Sequence, residues 1–256
     1  MPLLLSDLLD RRLAPAPDES RRLRFLTAQP FAHRGLHGGR VPENSRAAFR
    51  AAILAGHGIE CDVQTSKDGV AFVFHDYELD RLTDESGLVA DRTADELRRI
   101  TLKGTDEKLF TLDEMLELVA GKVPILIEIK LDHGRVNPLC LSVRRSLEGY
   151  RGPAAIMSFN PYICRWFARN GELIIRGLVV TEEDKKGLRG RAERHWSLWK
   201  AQPDFLAYDI RDLPSDFAES QRMRGLPLLT WTVRTPEQEA TAFNAADEII
   251  YERVGH

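Results

Sequence analysis

The sequence predicts a closed (β/α)8 barrel, distorted, with a small insertion after its third strand. Three observations predict it. Short β-rich runs alternate with helical periods along the chain, the pattern of an α/β fold. The 256 residues suit one large α/β domain. Histidines, an arginine and several carboxylates stand at the ends of apolar runs, where a barrel of this kind gathers its reactive side chains. The rival is an open doubly wound sheet, but no Gly-x-Gly-x-x-Gly fingerprint follows an early strand.

Taken in order, residues 1–30 read as an N-terminal helix and connector. Leu3, Leu4, Leu8, Leu9 and Leu13 suit a short amphipathic helix packed on the outside of the domain, and Ala14-Pro15-Ala16-Pro17 ends it. The barrel occupies 31–256. Phe31–His33 is the first strand, followed by a glycine-rich loop from Gly35 to Gly39. A helix starts at Pro42-Glu43-Asn44 and stops at Gly56. Ile59–Gln64 is the second strand. Lys67-Asp68-Gly69 is a turn into a third, Val70–Phe74, and so short a link predicts a hairpin rather than a βαβ crossover. The charged, turn-rich stretch at about 76–110 is the insertion, with one helix at Ala94–Ile100. Further strands are expected at Pro124–Ile129, Ala154–Ser158, Leu173–Val180, Phe205–Tyr208, Pro227–Val233 and Glu248–Tyr251, with helices between them. That makes nine strand-like runs, so one lies outside the barrel.

Composition narrows the function classes. An apolar share of 43% is ordinary for a globular protein with a substantial core. A formal charge of −3 argues against bulk nucleic-acid affinity. The widely spaced Cys61, Cys140 and Cys164 form neither a disulfide framework nor a metal-ligand pair, which points to a reducing, cytoplasmic setting. No apolar run reaches the length of a membrane span, and Asp7 and Asp10 follow Leu3-Leu4-Leu5 too closely for a signal peptide, so stable membrane insertion is not expected.

The chemistry gathers between Phe31 and Lys130. Glu60 and Asp62 are two apart on a strand, so both carboxylates project to one face while Cys61 points to the other. Adjacent anions repel unless a cation lies between them. Glu128 and Lys130 repeat the spacing on another strand, and a third carboxylate would complete an all-oxygen site suited to Mg2+ or Ca2+, with Mn2+ also possible. His33 and His75 each close a short strand and read as an acid/base pair, one deprotonating an attacking hydroxyl and the other protonating a leaving alkoxide. Their competing role is as ligands of zinc or iron. Arg34 carries a fork of donors matched to phosphate, or else pairs with Glu43. Asn44 either caps the following helix or touches ligand. Asp76 orients a neighbour. Trp231 either floors the pocket or packs in the core. His37, His57 and His133, in glycine-bearing loops, are expected in solvent. Lys185–Lys200, with Trp196 and Trp199, reads as an amphipathic helix covering the barrel rather than a lipid-binding one.

These residues resemble the glycerophosphodiester phosphodiesterase family, within the TIM-barrel phosphodiesterases that include phosphatidylinositol phospholipases C. The resemblance is carried by His33-Arg34-Gly35, Pro42-Glu43-Asn44-Ser45, Glu60-x-Asp62-Val63, Asp68-Gly69, His75-Asp76, Leu112 with its helix and Glu128-x-Lys130. Ser158-Phe159 and Trp231-Thr232-Val233 extend it to about residues 31–250. It implies a metal-dependent hydrolase of a small glycerophosphodiester, releasing sn-glycerol 3-phosphate and an alcohol. His33 and His75 would be acid and base, and Glu60, Asp62 and Glu128 would hold the cation. Arg34 and Lys130 would bind phosphate, with Glu43 supporting the site. The alternatives are a lysophospholipase D or sphingomyelinase-D-like enzyme, or an inactive phosphate-ester binding protein. The chain departs from the family pattern at Arg234, where asparagine is usual, and at Tyr251-Glu252-Arg253, where the last strand usually ends in Thr-Asp with a proline nearby.

Overall fold

The structure, a computed structural model, describes residues 5–17, 21–131 and 136–252. Along the chain run α1 (Leu5–Leu13), β1 (Phe31–Ala32), α2 (Arg46–Ala55), β2 (Gly58–Thr65), β3 (Ala71–Val73), α3 (Ala94–Leu97), α4 (Leu112–Val119) and β4 (Ile125–Ile129). They are followed by α5 (Val136–Leu147), β5 (Ala154–Ser158), α6 (Pro161–Asn170), β6 (Ile175–Val180), α7 (Leu188–Ala201) and β7 (Phe205–Asp209). Then come α8 (Asp216–Met223), β8 (Leu228–Val233), α9 (Pro236–Ala245) and β9 (Glu248–Tyr251). Hydrogen bonding orders the strands β1-β9-β8-β7-β6-β5-β4-β2-β3, and β1 pairs again with β2, so eight strands close a ring. This is the TIM barrel expected, and β3 is the supernumerary ninth strand, bonded outside it.

The chain divides into two compact units, Phe31–Ala154 with Glu252–His256, and Met1–Pro30 with Ala155–Tyr251. In the first, β2 pairs in parallel with β1 and β4, and antiparallel with β3 as the short turn predicted. The β2–β4 register sets Asp62 opposite Glu128. Ile59, Cys61 and Val63 alternate with Glu60 and Asp62 along β2, and Cys61 Sγ lies 4.0 Å from Met115 Sδ on α4. One set of side chains therefore meets the helical layer, and the carboxylates are left on the other face. The insertion has a core of its own, in which Leu79, Val89, Leu97, Ile100, Leu102 and Leu109 pack on Phe72 and Phe74. Its helix α3 is shorter than expected but starts on a capping box of Thr93 and Glu96.

In the second unit β5 to β9 run parallel in chain order, with an irregular register between Thr230 and Val233. Gly177 on β6 is needed there, because a Cβ would run into the Phe205 ring on β7. Helix α1 leaves most of its described leucines in solvent, with Leu9 half-buried. Leu8 and Leu13 are exposed, and the buried residue is Asp10, which accepts hydrogen bonds from His195 and Trp199 of α7 and Gln221 of α8. The reason is energetic: an acid matched by three donors can be buried, and its hydrogen bonds then hold the helix in place. Leu3 and Leu4 lie outside the described residues.

Candidate active site

Ten of the residues singled out above fall in the first unit, and the chain path explains how they meet. After β1 the backbone turns sharply: Arg34 (φ 55°) and Gly35 (φ 80°) are both left-handed. A non-glycine residue there is strained, and Arg34 holds the conformation by donating its backbone N–H to Glu60 Oε2 at 2.9 Å. Asn44 (φ 51°) is the second such residue. It does not cap the helix. Ser45 does, accepting from Ala48 N, and α2 begins at Arg46. Asn44 instead donates from Nδ2 to Asp62 Oδ2 at 2.9 Å and accepts the Asp62 N–H at 3.3 Å. The Asn44 amide is spent on fixing a carboxylate.

Glu60, Asp62 and Glu128 are buried, and one oxygen from each lies within 4.8 Å of the others. Burial, then the Asp62 and Glu128 charges, push the Glu60 carboxyl well above its ordinary range. Glu128 is raised as well, by burial first, with Lys130 opposing and Asp62 adding to it. Asp62 goes the other way. Burial would raise it, but Lys130, His75, Arg34 and His33 together outweigh that and hold it ionised. Lys130 Nζ stands 2.6 Å from Glu128 Oε1 and 3.2 Å from Asp62 Oδ1, pairing with both acids. Arg34 Nε and Glu128 Oε1 make ion pairs only, and Glu60 Oε1 is buried with no hydrogen-bond partner. An orphaned carboxylate oxygen beside two further acids is costly as it stands and fits a divalent cation. The residues therefore suit such a metal.

The cationic groups are held by acids. Arg34 Nη1 donates to Glu43 Oε1 at 2.7 Å, and its Nε lies 3.4 Å from Asp62 Oδ2. The pairing with Glu43 weighed above is thus present. His33 Nδ1 is 3.2 Å from Glu252 Oε2, and His75 Nδ1 is 2.6 Å from Asp76 Oδ1. Burial lowers the pKa of both imidazoles, while the Asp62 charge works to raise each of them. Two histidines, each backed by its own carboxylate, stand in the field of one acid.

Two members of the cluster were not visible in the sequence. Arg81, in the insertion, bridges Asp76 at 2.5 Å and Glu43 at 2.7 Å. Glu252 stood out only as a departure from the family pattern. His37, expected in solvent, is half-buried, with Nε2 3.9 Å from Glu252 Oε1. His57 is also half-buried, and His133 and Arg253 lie outside the described residues. Trp231 belongs to the second unit, where Nε1 donates to Ala207 O at 3.0 Å and the ring meets Phe159 edge-on. In α7, Trp199 is tied to Asp10, whereas Trp196 is exposed beside Tyr162.

A closed barrel with clustered acids, cations and histidines defines a class, that of barrel enzymes acting on charged esters. Residues 33–255 match the glycerophosphoryl diester phosphodiesterase family. A glycerophosphodiester phosphodiesterase of Caldanaerobacter subterraneus is 40% identical over 238 residues, covering 86% of this chain and 92% of its own. The chain belongs to this family of phosphoric diester hydrolases. Among solved structures, the glycerophosphodiester phosphodiesterase of Thermotoga maritima superposes with TM-score 0.70 at 27% identity, over 86% of this chain and 92% of that one. A phosphodiesterase of Oleispira antarctica, in complex with the product sn-glycerol-3-phosphate, gives TM-score 0.76 at 23% identity, over 88% and 93%. Among the described residues no helix is long and apolar enough to cross a membrane.

Proposed function

We propose that the chain is a metal-dependent phosphodiesterase that hydrolyses glycerophosphodiesters to sn-glycerol 3-phosphate and an alcohol by acid–base catalysis between His33 and His75. The observation that carries the reading is Glu60 Oε1, buried and unpartnered beside Asp62 and Glu128. The name of the Caldanaerobacter relative and the product held by the Oleispira enzyme support the substrate class.

Glu60, Asp62 and Glu128 would hold the cation, Mg2+ or Ca2+ by donor type. When bound, it offsets charge on the phosphoryl oxygens and acidifies an attacking hydroxyl. Arg34 and Lys130 bind the phosphoryl group, and their pairing with Glu43, Asp62 and Glu128 fixes them before substrate arrives, so little side-chain freedom is lost on binding. With Nδ1–H donating to Glu252 or Asp76, each imidazole keeps its lone pair on Nε2. One Nε2 takes the proton of the attacking hydroxyl. The other ring, protonated, gives its proton to the leaving alkoxide. Asp76 and Glu252 hold the tautomers and steady the imidazolium form, Asn44 fixes Asp62, and Glu43 fixes Arg34.

The test is a panel of glycerophosphodiesters and lysophospholipids, assayed for released glycerol phosphate with and without chelator. Release from the water-soluble diesters should vanish with chelator and return with Mg2+ or Ca2+. Turnover indifferent to chelation, or none in any divalent cation, overturns the reading. Faster turnover of the lysophospholipids would reassign the substrate.

A further inference from the structure

We propose that His33, His37 and Glu252 form a second metal site, which takes a borderline transition cation such as Zn2+ and silences the enzyme when filled. His33 and His37 are four residues apart on the turn after β1. The left-handed Arg34 and Gly35, with hydrogen bonds from Gly35 N to Ala32 O at 3.1 Å and from His37 N to Gly35 O at 3.0 Å, fold that turn back on itself. Both imidazoles thereby reach one carboxylate, although Glu252 is 219 residues from His33 in sequence. His33 Nδ1 is 3.2 Å from Glu252 Oε2 and His37 Nε2 is 3.9 Å from Oε1, and a ligand atom from each of the three residues lies within 4.8 Å of the others. A tetrahedral zinc with bonds of about 2.0–2.1 Å needs ligand atoms about 3.3 Å apart, so closure asks for shifts on the order of 1 Å. All three side chains are partly exposed, at 13%, 15% and 21%, while the His37 Nε2 atom itself is buried, so an incoming ion sheds water as it reaches that nitrogen. Arg34 stands in the same turn, but its charge is matched by Glu43 and Asp62.

The donor set separates this site from the carboxylate one. Two imidazole nitrogens and one carboxylate, with a fourth position open, suit zinc, whereas three carboxylates suit Mg2+ or Ca2+. His75 belongs to neither cluster. Silencing follows from the tautomer. With Nδ1–H given to Glu252, the His33 lone pair is on Nε2. A metal on Nδ1 uses that nitrogen's lone pair, so the single ring proton moves to Nε2, which can no longer accept one. The binding half of the proposal stands on geometry alone. The silencing half rests on His33 carrying protons, as proposed above.

The test uses the full chain in saturating Mg2+, titrated with Zn2+ by calorimetry and with Co2+ by visible absorption, beside a glycerophosphodiester assay. The wild type should take up about one Zn2+ that Mg2+ does not displace, show the Co2+ bands of a low-symmetry nitrogen–oxygen site, and lose turnover in step. His37→Ala should keep its Mg2+-supported turnover, itself a check on folding. It should bind Zn2+ at least about tenfold more weakly and need correspondingly more for half-inhibition. Equal Zn2+ affinity in the two proteins, or zinc uptake that Mg2+ abolishes, overturns the site. Zinc bound through His37 with turnover intact supports the site but overturns silencing, and with it the proton-carrying role of His33.

Discussion

Asp10 on α1 and Glu60 on β2 are equally hidden from solvent, yet their surroundings are opposites. Asp10 Oδ1 accepts from His195 at 2.9 Å and Trp199 at 2.7 Å, and Oδ2 accepts from Gln221 at 2.8 Å. Burial would raise its pKa, but those donors outweigh it and bring the carboxyl below its ordinary value. Glu60 has one oxygen satisfied by the Arg34 backbone and the other by nothing, with two more acids at hand, and its carboxyl is raised. The first arrangement is finished within the protein and serves to pin a helix. The second leaves a carboxylate oxygen that the proposed cation would satisfy. Burial of a charge therefore does not mark a functional site by itself; the unmet half of its hydrogen bonding does.

Substitutions at the two regions separate them. The largest contrast lies between histidines that share the same carboxylate-backed geometry. His33→Ala and His75→Ala should each lower kcat by about 10²–10⁴-fold with the far-ultraviolet circular dichroism unchanged. His195→Ala, whose partner is Asp10, should leave kcat within about threefold and lower stability instead. Near-normal turnover of either active-site variant in steady-state assays would remove that histidine from the chemistry.

Next in size is a difference of sign in stability. Asp10→Ala leaves three donors without their acceptor and should cost about 2–4 kcal/mol in urea denaturation. Glu60→Gln, in metal-free protein, should stabilise by about 0.5–2 kcal/mol because it removes an unmatched charge, while calorimetry shows metal affinity lost. Shifts of the same sign in the two variants would erase the distinction drawn between the sites.

Acid should narrow the first of these effects. A carboxyl whose pKa is lower folded than unfolded binds fewer protons in the native state, so its contribution is complete above about pH 4 and fades as pH falls through the folded value. The stability gap between wild type and Asp10→Asn should be constant near neutrality and shrink below about pH 4 in denaturation series. A gap that widened in acid would contradict the assignment. The smallest effect belongs to Arg81, about half exposed and shared between Glu43 and Asp76. Arg81→Ala should change kcat by about fivefold or less, since exposed ion pairs contribute little.

How far the sequence carried the reading varies by residue. Period-two alternation on β2 was enough to place Glu60 with Asp62 and to send Cys61 to the helices, because a strand fixes side-chain direction locally. The short Lys67-Asp68-Gly69 turn was enough for the antiparallel excursion of β3. Asn44 was left with two uses open because an amide before a helix has a good local one, and its long-range use on Asp62 left no local trace. His37 misled: glycine neighbours signal a loop, and nothing nearby signals Glu252.

Alternation by itself determined the barrel and the acids that gather on one face, since a strand fixes side-chain direction over a few residues, while the family was legible as a resemblance carried by motifs in order. Only the tertiary structure decided which partner each of those groups keeps. Glu252 beside His33, Arg81 between Asp76 and Glu43, and Asp10 among His195, Trp199 and Gln221 all depend on segments far apart in the chain. No local preference encodes such a meeting, because a hydrogen bond over a long separation forms only once the strands between have set their register.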